Sequence, residues 1–171
     1  MQRVVLACLA LMTLPLVSAH GGETEDAATM SSSQVLLLAA IGAALVWQLT
    51  GVVWTAKSAT LSPVMAGLST FTGTVHLLLG LEDPLLLLGG TGVMVITVAL
   101  LVWNMNPQRE QQLFVAMTAL LVVMFVGYFA ANHDPGMIME DRLGLATKLA
   151  EVTLLLLLYR AWRQSRQPSM R

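Results

Sequence analysis

Long apolar runs are the feature of this sequence that most restricts its fold. Several stretches approach 20 residues, and in the whole chain of 171 residues 56% are hydrophobic but only 11% are charged. A soluble domain of this size carries about 25% charged residues. Since lipid offers the backbone no hydrogen bonds, such runs must be helices, and the strict alternation of a transmembrane β-barrel is absent. The sequence therefore predicts an all-α, polytopic transmembrane bundle.

The first 19 residues have the pattern of a secretory signal peptide. Arg3 gives a positive start, 4–14 form an apolar core, Pro15 interrupts the helix, and Val17-Ser18-Ala19 fits the small-residue cleavage rule. The alternative is an uncleaved first transmembrane helix, for which the run is short.

Cleavage after residue 19 would make His20 the new N-terminus and would remove Cys8, the single cysteine. The mature chain would then contain no disulfide and no cysteine metal site. Residues 20–34 are acidic and Ser-rich with little apolar surface, which predicts a flexible extracytoplasmic leader.

Five spans are predicted after the leader, within a transmembrane domain of residues 35–163, and a basic cytoplasmic tail follows at 164–171. Asp83 and Pro84 make a good start signal for the third span, as N-cap and first helical residue. The predicted spans are 35–56, 61–80, 84–103, 113–131 and 143–162.

The charges indicate how the chain crosses the cell membrane. If the signal peptide places the mature N-terminus outside, five spans place the C-terminus in the cytoplasm. The inner side then holds six bases against Glu110, and the outer side holds eight acids against Arg142, as the positive-inside rule requires. The inner bases are Lys57, Arg109, Arg160, Arg163, Arg166 and Arg171.

Lys148 and Glu151 are the only two full charges that this threading places within hydrocarbon. A charge near the centre of a helix costs about 2.5–3.5 kcal/mol on insertion scales, so it usually faces protein and has a partner. The two residues are three apart and share a helix face. His76, in the second span, lies at a comparable distance from the outer surface, on a face with Ser69, Thr72, Gly73 and Gly80. An intramembrane polar centre of His76, Lys148 and Glu151 is therefore permitted.

Three functions remain open for these residues. The polar centre either fixes the packing of a non-enzymatic structural or accessory subunit, or it forms a proton relay or transport pathway. The third hypothesis is extracytoplasmic copper handling. A free His20 offers an amine and an imidazole nitrogen to copper, and His133, Met137 and Met139 add an imidazole and two thioethers.

No motif in the sequence indicates an enzyme. Phosphate loops, HExxH and GxSxG patterns are absent, and there is too little basic surface for nucleic acid. The expected partners are the lipid bilayer and other membrane subunits.

Two segments carry a resemblance to a known group. TVHLLLGLEDPLLLLGGTG (Thr74–Gly92) and DRLGLATKLAEVTLLLLL (Asp141–Leu158) resemble those of small multipass membrane proteins of unknown function in archaea, particularly haloarchaea. The resemblance covers the second to fifth spans, and it implies a multipass helical membrane protein without implying an activity.

Overall fold

A computed structural model describes residues 30–53, 56–58, 60–81, 83–131 and 139–165 of the chain. The helices that follow belong to one compact unit, residues 31–171. No strand occurs in the described ranges, which confirms the all-α class. The helices are α1 (Ser32–Gln48), which continues as a π-helix (Leu49–Val53), α2 (Pro63–Leu79), α3 (Pro84–Val102), α4 (Pro107–Ala131) and α5 (Arg142–Ser165).

Three of these helices are long and apolar enough to cross a membrane. They are Ser32–Val52, α3 and α4, with mean hydropathies of 2.1, 2.5 and 2.4 over their most apolar windows. The α2 helix is apolar but only 17 residues long. The α5 helix is not among the three, because Lys148 and Glu151 lie in its middle and Arg142 and Arg160 lie toward its ends.

Capping residues move two helix starts away from the predicted ones. Ser31 and Gln34 form a capping box, in which the Gln34 N–H donates to Ser31 Oγ at 3.3 Å and the Ser31 N–H donates to Gln34 Oε1 at 2.9 Å. The last residues of the predicted leader, 32–34, are therefore helical. The α4 helix begins at Pro107, six residues before the predicted span, because Asn106 Oδ1 accepts from the Arg109 N–H at 2.8 Å. Caps fix where a helix begins, whereas hydropathy marks only its apolar part.

The α2 helix lies at the centre of the bundle, where it packs against α1, α3 and α5, and α5 also packs against α4. A main core joins α2, α3, α4 and α5, and a smaller core joins α1 to α2 and to the start of α5. The fully buried members of the main core are Ala66, Val93, Leu100, Met117, Leu121 and Leu154, and the smaller core contains Val35, Ala39, Val75 and Leu143.

Glycine permits the close approach of α2 and α3. A Cβ atom on Gly90 would lie 2.7 Å from the Leu77 nitrogen and 2.9 Å from the Gly73 oxygen, both of them backbone atoms. A side chain there would force the two helices apart. This contact fixes the depth at which α2 lies against α3, and thereby the position of the polar residues on α2.

The segment between α1 and α2 is hydrogen-bonded to α3 and α4. The Ser58 N–H donates to the Leu100 carbonyl at 3.1 Å, and the Ser58 hydroxyl is 2.5 Å from Glu110 Oε1. The N–H groups of Thr60 and Leu61 donate to Ser58 Oγ at 3.3 and 3.0 Å. One buried serine therefore ties the segment to the end of α3 and the start of α4.

Candidate functional site

The structure brings His76, Lys148 and Glu151 together in the interior of the bundle. Their residues are 4%, 5% and 0% exposed. Glu151 Oε1 lies 2.7 Å from His76 Nε2, and Glu151 Oε2 lies 2.8 Å from Lys148 Nζ. We call these three residues, with Thr72, the polar centre.

Helical spacing places each of these side chains. Lys148 and Glu151 are three residues apart on α5, and Thr72 and His76 are four apart on α2, so each pair shares one helix face. The two faces meet where α2 packs against α5. The hydroxyl of Thr72 donates to Glu151 Oε1 at 3.2 Å, which makes Thr72 a second contact from α2.

The Glu151 carboxylate is the acceptor on which the polar centre converges. Its Oε1 atom accepts from His76 Nε2, from Lys148 Nζ at 2.9 Å and from the Thr72 hydroxyl, while Oε2 accepts from Lys148 Nζ. A carboxylate has about two acceptor positions on each oxygen, and these contacts engage both oxygens, three on Oε1 and one on Oε2. A buried charge is tolerated only when it is paired and hydrogen-bonded in this way.

Lys148 also joins α5 to α4. Its Nζ atom donates to the Met124 backbone carbonyl at 3.1 Å and lies 5.2 Å from the centre of the Tyr128 ring. This distance is within the range of a cation–π contact. The ammonium group therefore has its three donors directed at Glu151 and α4, and the aromatic ring covers it on another side.

A second polar link lies beside Tyr128, at the start of α5. The Tyr128 hydroxyl donates to Asp141 Oδ2 at 2.9 Å, and Asp141 Oδ1 accepts from the Gly144 N–H at 2.8 Å. Asp141 thus caps α5 and holds α4 at the same time. Sequence reasoning missed Tyr128 and Asp141 as partners, although a tyrosine inside an apolar run and an aspartate before a helix are both available signals.

His76 Nε2 is the imidazole nitrogen that faces the Glu151 carboxylate. Because the Glu151 carboxylate only accepts, His76 Nε2 carries the hydrogen of their bond. His76 Nδ1 is buried and has no hydrogen-bond partner among the described residues, so it is the one unsatisfied atom of the site.

The polar centre has no polar continuation along α5 toward its C-terminus in the part of the bundle that the structure describes. The buried residues there are Leu154 and Leu158, packed against Leu100, Met117 and Leu121. The buried hydroxyls of Ser69 and Thr97 lie on the neighbouring helices, and each donates to a carbonyl of its own helix. The arrangement therefore favours a closed, internally paired site.

Most of the residues predicted to bind copper are outside the part of the chain that the structure describes. His20, His133 and Met137 lie outside it, and Met139 is 73% exposed. Within the described part of the chain, no three His, Cys, Asp or Glu side chains are placed to hold a metal ion. Copper binding stays a prediction from the sequence.

Comparison with other proteins does not assign a role to the polar centre, so a role has to be inferred from its geometry. Neither protein-family models, nor curated proteins, nor solved structures give a match to this chain.

Proposed function

We propose that this protein is a multipass membrane protein without catalysis, a structural or accessory subunit whose polar centre clamps α5 to α2 and α4. The observation that carries the proposal is the completeness of the pairing around Glu151. This residue is 0% exposed and accepts hydrogen bonds from two different helices. A group that handles a substrate needs access, whereas a group that fixes helix packing needs only partners.

The composition of the helices supports a membrane location. Three helices have the length and hydropathy of spans, and α2 and α5 complete a five-span bundle on the proposed threading. The signal peptide of residues 1–19 then places the mature N-terminus outside. Trp103 and Trp162 lie near the inner ends of α3 and α5, where aromatic residues are enriched.

The apolar surfaces of α1 and α4 that face away from the bundle interior support an accessory role. Only 17% of the most apolar window of each helix is buried inside the bundle. In α4 the exposed apolar side chains include Val115, Val122, Val123 and Val126. Such faces suit lipid, and they also suit the transmembrane helices of other subunits.

A proton-relay function receives less support from the same contacts. Transport would require an open polar passage lined by His76, Lys148 and Glu151, and each of these residues is at most 5% exposed. Beyond Glu151, the buried hydroxyls of Ser69, Thr70 and Thr97 donate to carbonyls of their own helices rather than to one another.

The Glu151→Gln variant tests the clamp. Glutamine keeps the shape of the side chain but leaves the Lys148 ammonium buried without a counter-charge, so the thermal midpoint of the purified protein in detergent should fall. Glu140→Gln makes the same chemical change at an exposed position just before α5 and should leave the midpoint unchanged. Equal midpoints for Glu151→Gln and the wild type would refute the clamp.

The accessory role has a separate test. The natively expressed protein, extracted in a mild detergent, should migrate as a particle that contains a second polypeptide at fixed stoichiometry beside this chain. A particle that contains only this chain and lipid would refute the accessory role and leave the clamp intact.

A further inference from the structure

A groove between α3 and α4 lies at the opposite end of α4 from the polar centre. Its volume is about 540 Å³, within the range of about 300–1,000 Å³ that is typical of ligand sites. The lining residues are Val95, Ile96, Ala99, Trp103, Asn104, Met105, Arg109, Gln112 and Leu113.

Polarity is divided along the length of this groove. Its α3 wall, from Val95 to Ala99, is apolar, and Ile96 and Ala99 form a floor that is 8% and 4% exposed. Its mouth contains the polar groups, which are the side chains of Asn104, Arg109 and Gln112. From Val95 to Trp103, the part of the chain that lines this side of the groove extends about 12 Å at 1.5 Å per residue, which is long enough for a segment of an acyl chain.

The charge at the mouth of the groove is positive. Arg109 is the one ionisable residue in the lining, and it has no salt-bridge partner among the described residues. The nearby Glu110 has its Oε1 atom engaged by Ser58 and by the Thr60 N–H. Arg109 also lies in the first turn of α4, where the helix dipole adds positive potential.

We propose that this groove binds an anionic phospholipid, with the phosphate at Arg109 and part of one acyl chain against the α3 wall. The proposal rests on the membrane location inferred above, which puts the groove at the inner boundary of the bilayer. Basic pockets between helices on that side suit anionic headgroups. The planar guanidinium binds phosphate through two parallel hydrogen bonds, and Asn104 and Gln112 add polar contacts for the headgroup.

Native mass spectrometry of the full-length protein tests this proposal. Protein purified in detergent is titrated with phosphatidylglycerol or with phosphatidylcholine, and the lipid-bound fraction is measured for each. Phosphatidylglycerol should bind at least about fivefold more tightly, and Arg109→Gln should remove most of that difference. Arg109→Lys keeps the charge but loses the paired hydrogen bonds, so it should retain an intermediate preference.

Arg163→Gln is the matched control. It removes the same charge from an exposed position near the end of α5, outside the groove lining, and should leave the preference for phosphatidylglycerol unchanged. Equal binding of the two lipids, or equal losses in Arg109→Gln and Arg163→Gln, would overturn the proposal. If the lipid site fails while Glu151→Gln still lowers the thermal midpoint, the lipid proposal alone is refuted and the clamp stands.

Discussion

Removing Lys148 alone should destabilise the protein more than removing Lys148 and Glu151 together. Lys148→Met leaves the fully buried Glu151 carboxylate with only His76 Nε2 and the Thr72 hydroxyl as donors. A buried charge whose partner is removed costs about 3–5 kcal/mol, whereas one interhelical hydrogen bond in a membrane averages about 0.6 kcal/mol. The charge term should therefore dominate the change in the free energy of unfolding.

The double variant separates the cost of the unpaired charge from the loss of hydrogen bonds. Lys148→Met with Glu151→Gln removes both charges and leaves a neutral amide that His76 and Thr72 still contact, so we expect a loss of about 1–2 kcal/mol. With each single loss at about 3–5 kcal/mol, the coupling energy between the two positions should then be at least about 4 kcal/mol.

The assay is unfolding by SDS in mixed micelles, followed by far-UV circular dichroism for the wild type, both single variants and the double variant. Arg163→Met, at an exposed site, controls for the general effect of replacing a base by methionine. If the two single losses add up to the loss in the double variant within about 0.5 kcal/mol, the charges do not interact and the clamp is refuted.

Two further substitutions test the packing that positions the polar centre. Gly90→Ala should lower the thermal midpoint, because the new Cβ would lie 2.7 Å from a backbone nitrogen of α2. The control Gly127→Ala has nothing within 4 Å of its Cβ and should leave the midpoint unchanged or raise it, since alanine favours a helix by about 1 kcal/mol over glycine. A Gly90→Ala protein as stable as Gly127→Ala would contradict the close helix contact. Ser58→Ala should cost about 1–3 kcal/mol in the same SDS assay, because it leaves the buried Leu61 N–H without its partner and removes one of the two donors to Glu110 Oε1. A loss no greater than that of the exposed Ser33→Ala would show that the segment is not anchored.

The sequence was sufficient to predict the helical class, and it pointed to His76, Lys148 and Glu151, three of the four residues of the polar centre. Full charges within apolar runs are rare, and a spacing of three residues places them on one helix face. It was not sufficient to predict the connections to Tyr128 and Met124. Those depend on how α4 is rotated about its own axis, and its nearly uniform apolar surface leaves that rotation undetermined. The Met124 contact uses a backbone carbonyl, which every residue carries, so no residue type marks it.

The link between Ser58 and Glu110 was missed for a similar reason. Both residues are polar groups in predicted inner connections, where polar residues are expected to face water. Their pairing depends on the segment between α1 and α2 folding back onto the ends of α3 and α4. Contacts between connections that are 52 residues apart in the chain leave no periodic pattern in either segment.

The position of Glu151 has a consequence for the order in which the protein is made. The ribosome synthesises α2 and α4 before α5, so the partners of Lys148 and Glu151 are already present when the last helix emerges. On the proposed threading, the two charges enter the bilayer as a pair, and their partners His76, Thr72 and the Met124 carbonyl are already there. A chain from which α4 alone is deleted therefore lacks part of the template for its most polar helix, and membrane integration of α5 is the step that such a deletion should impair.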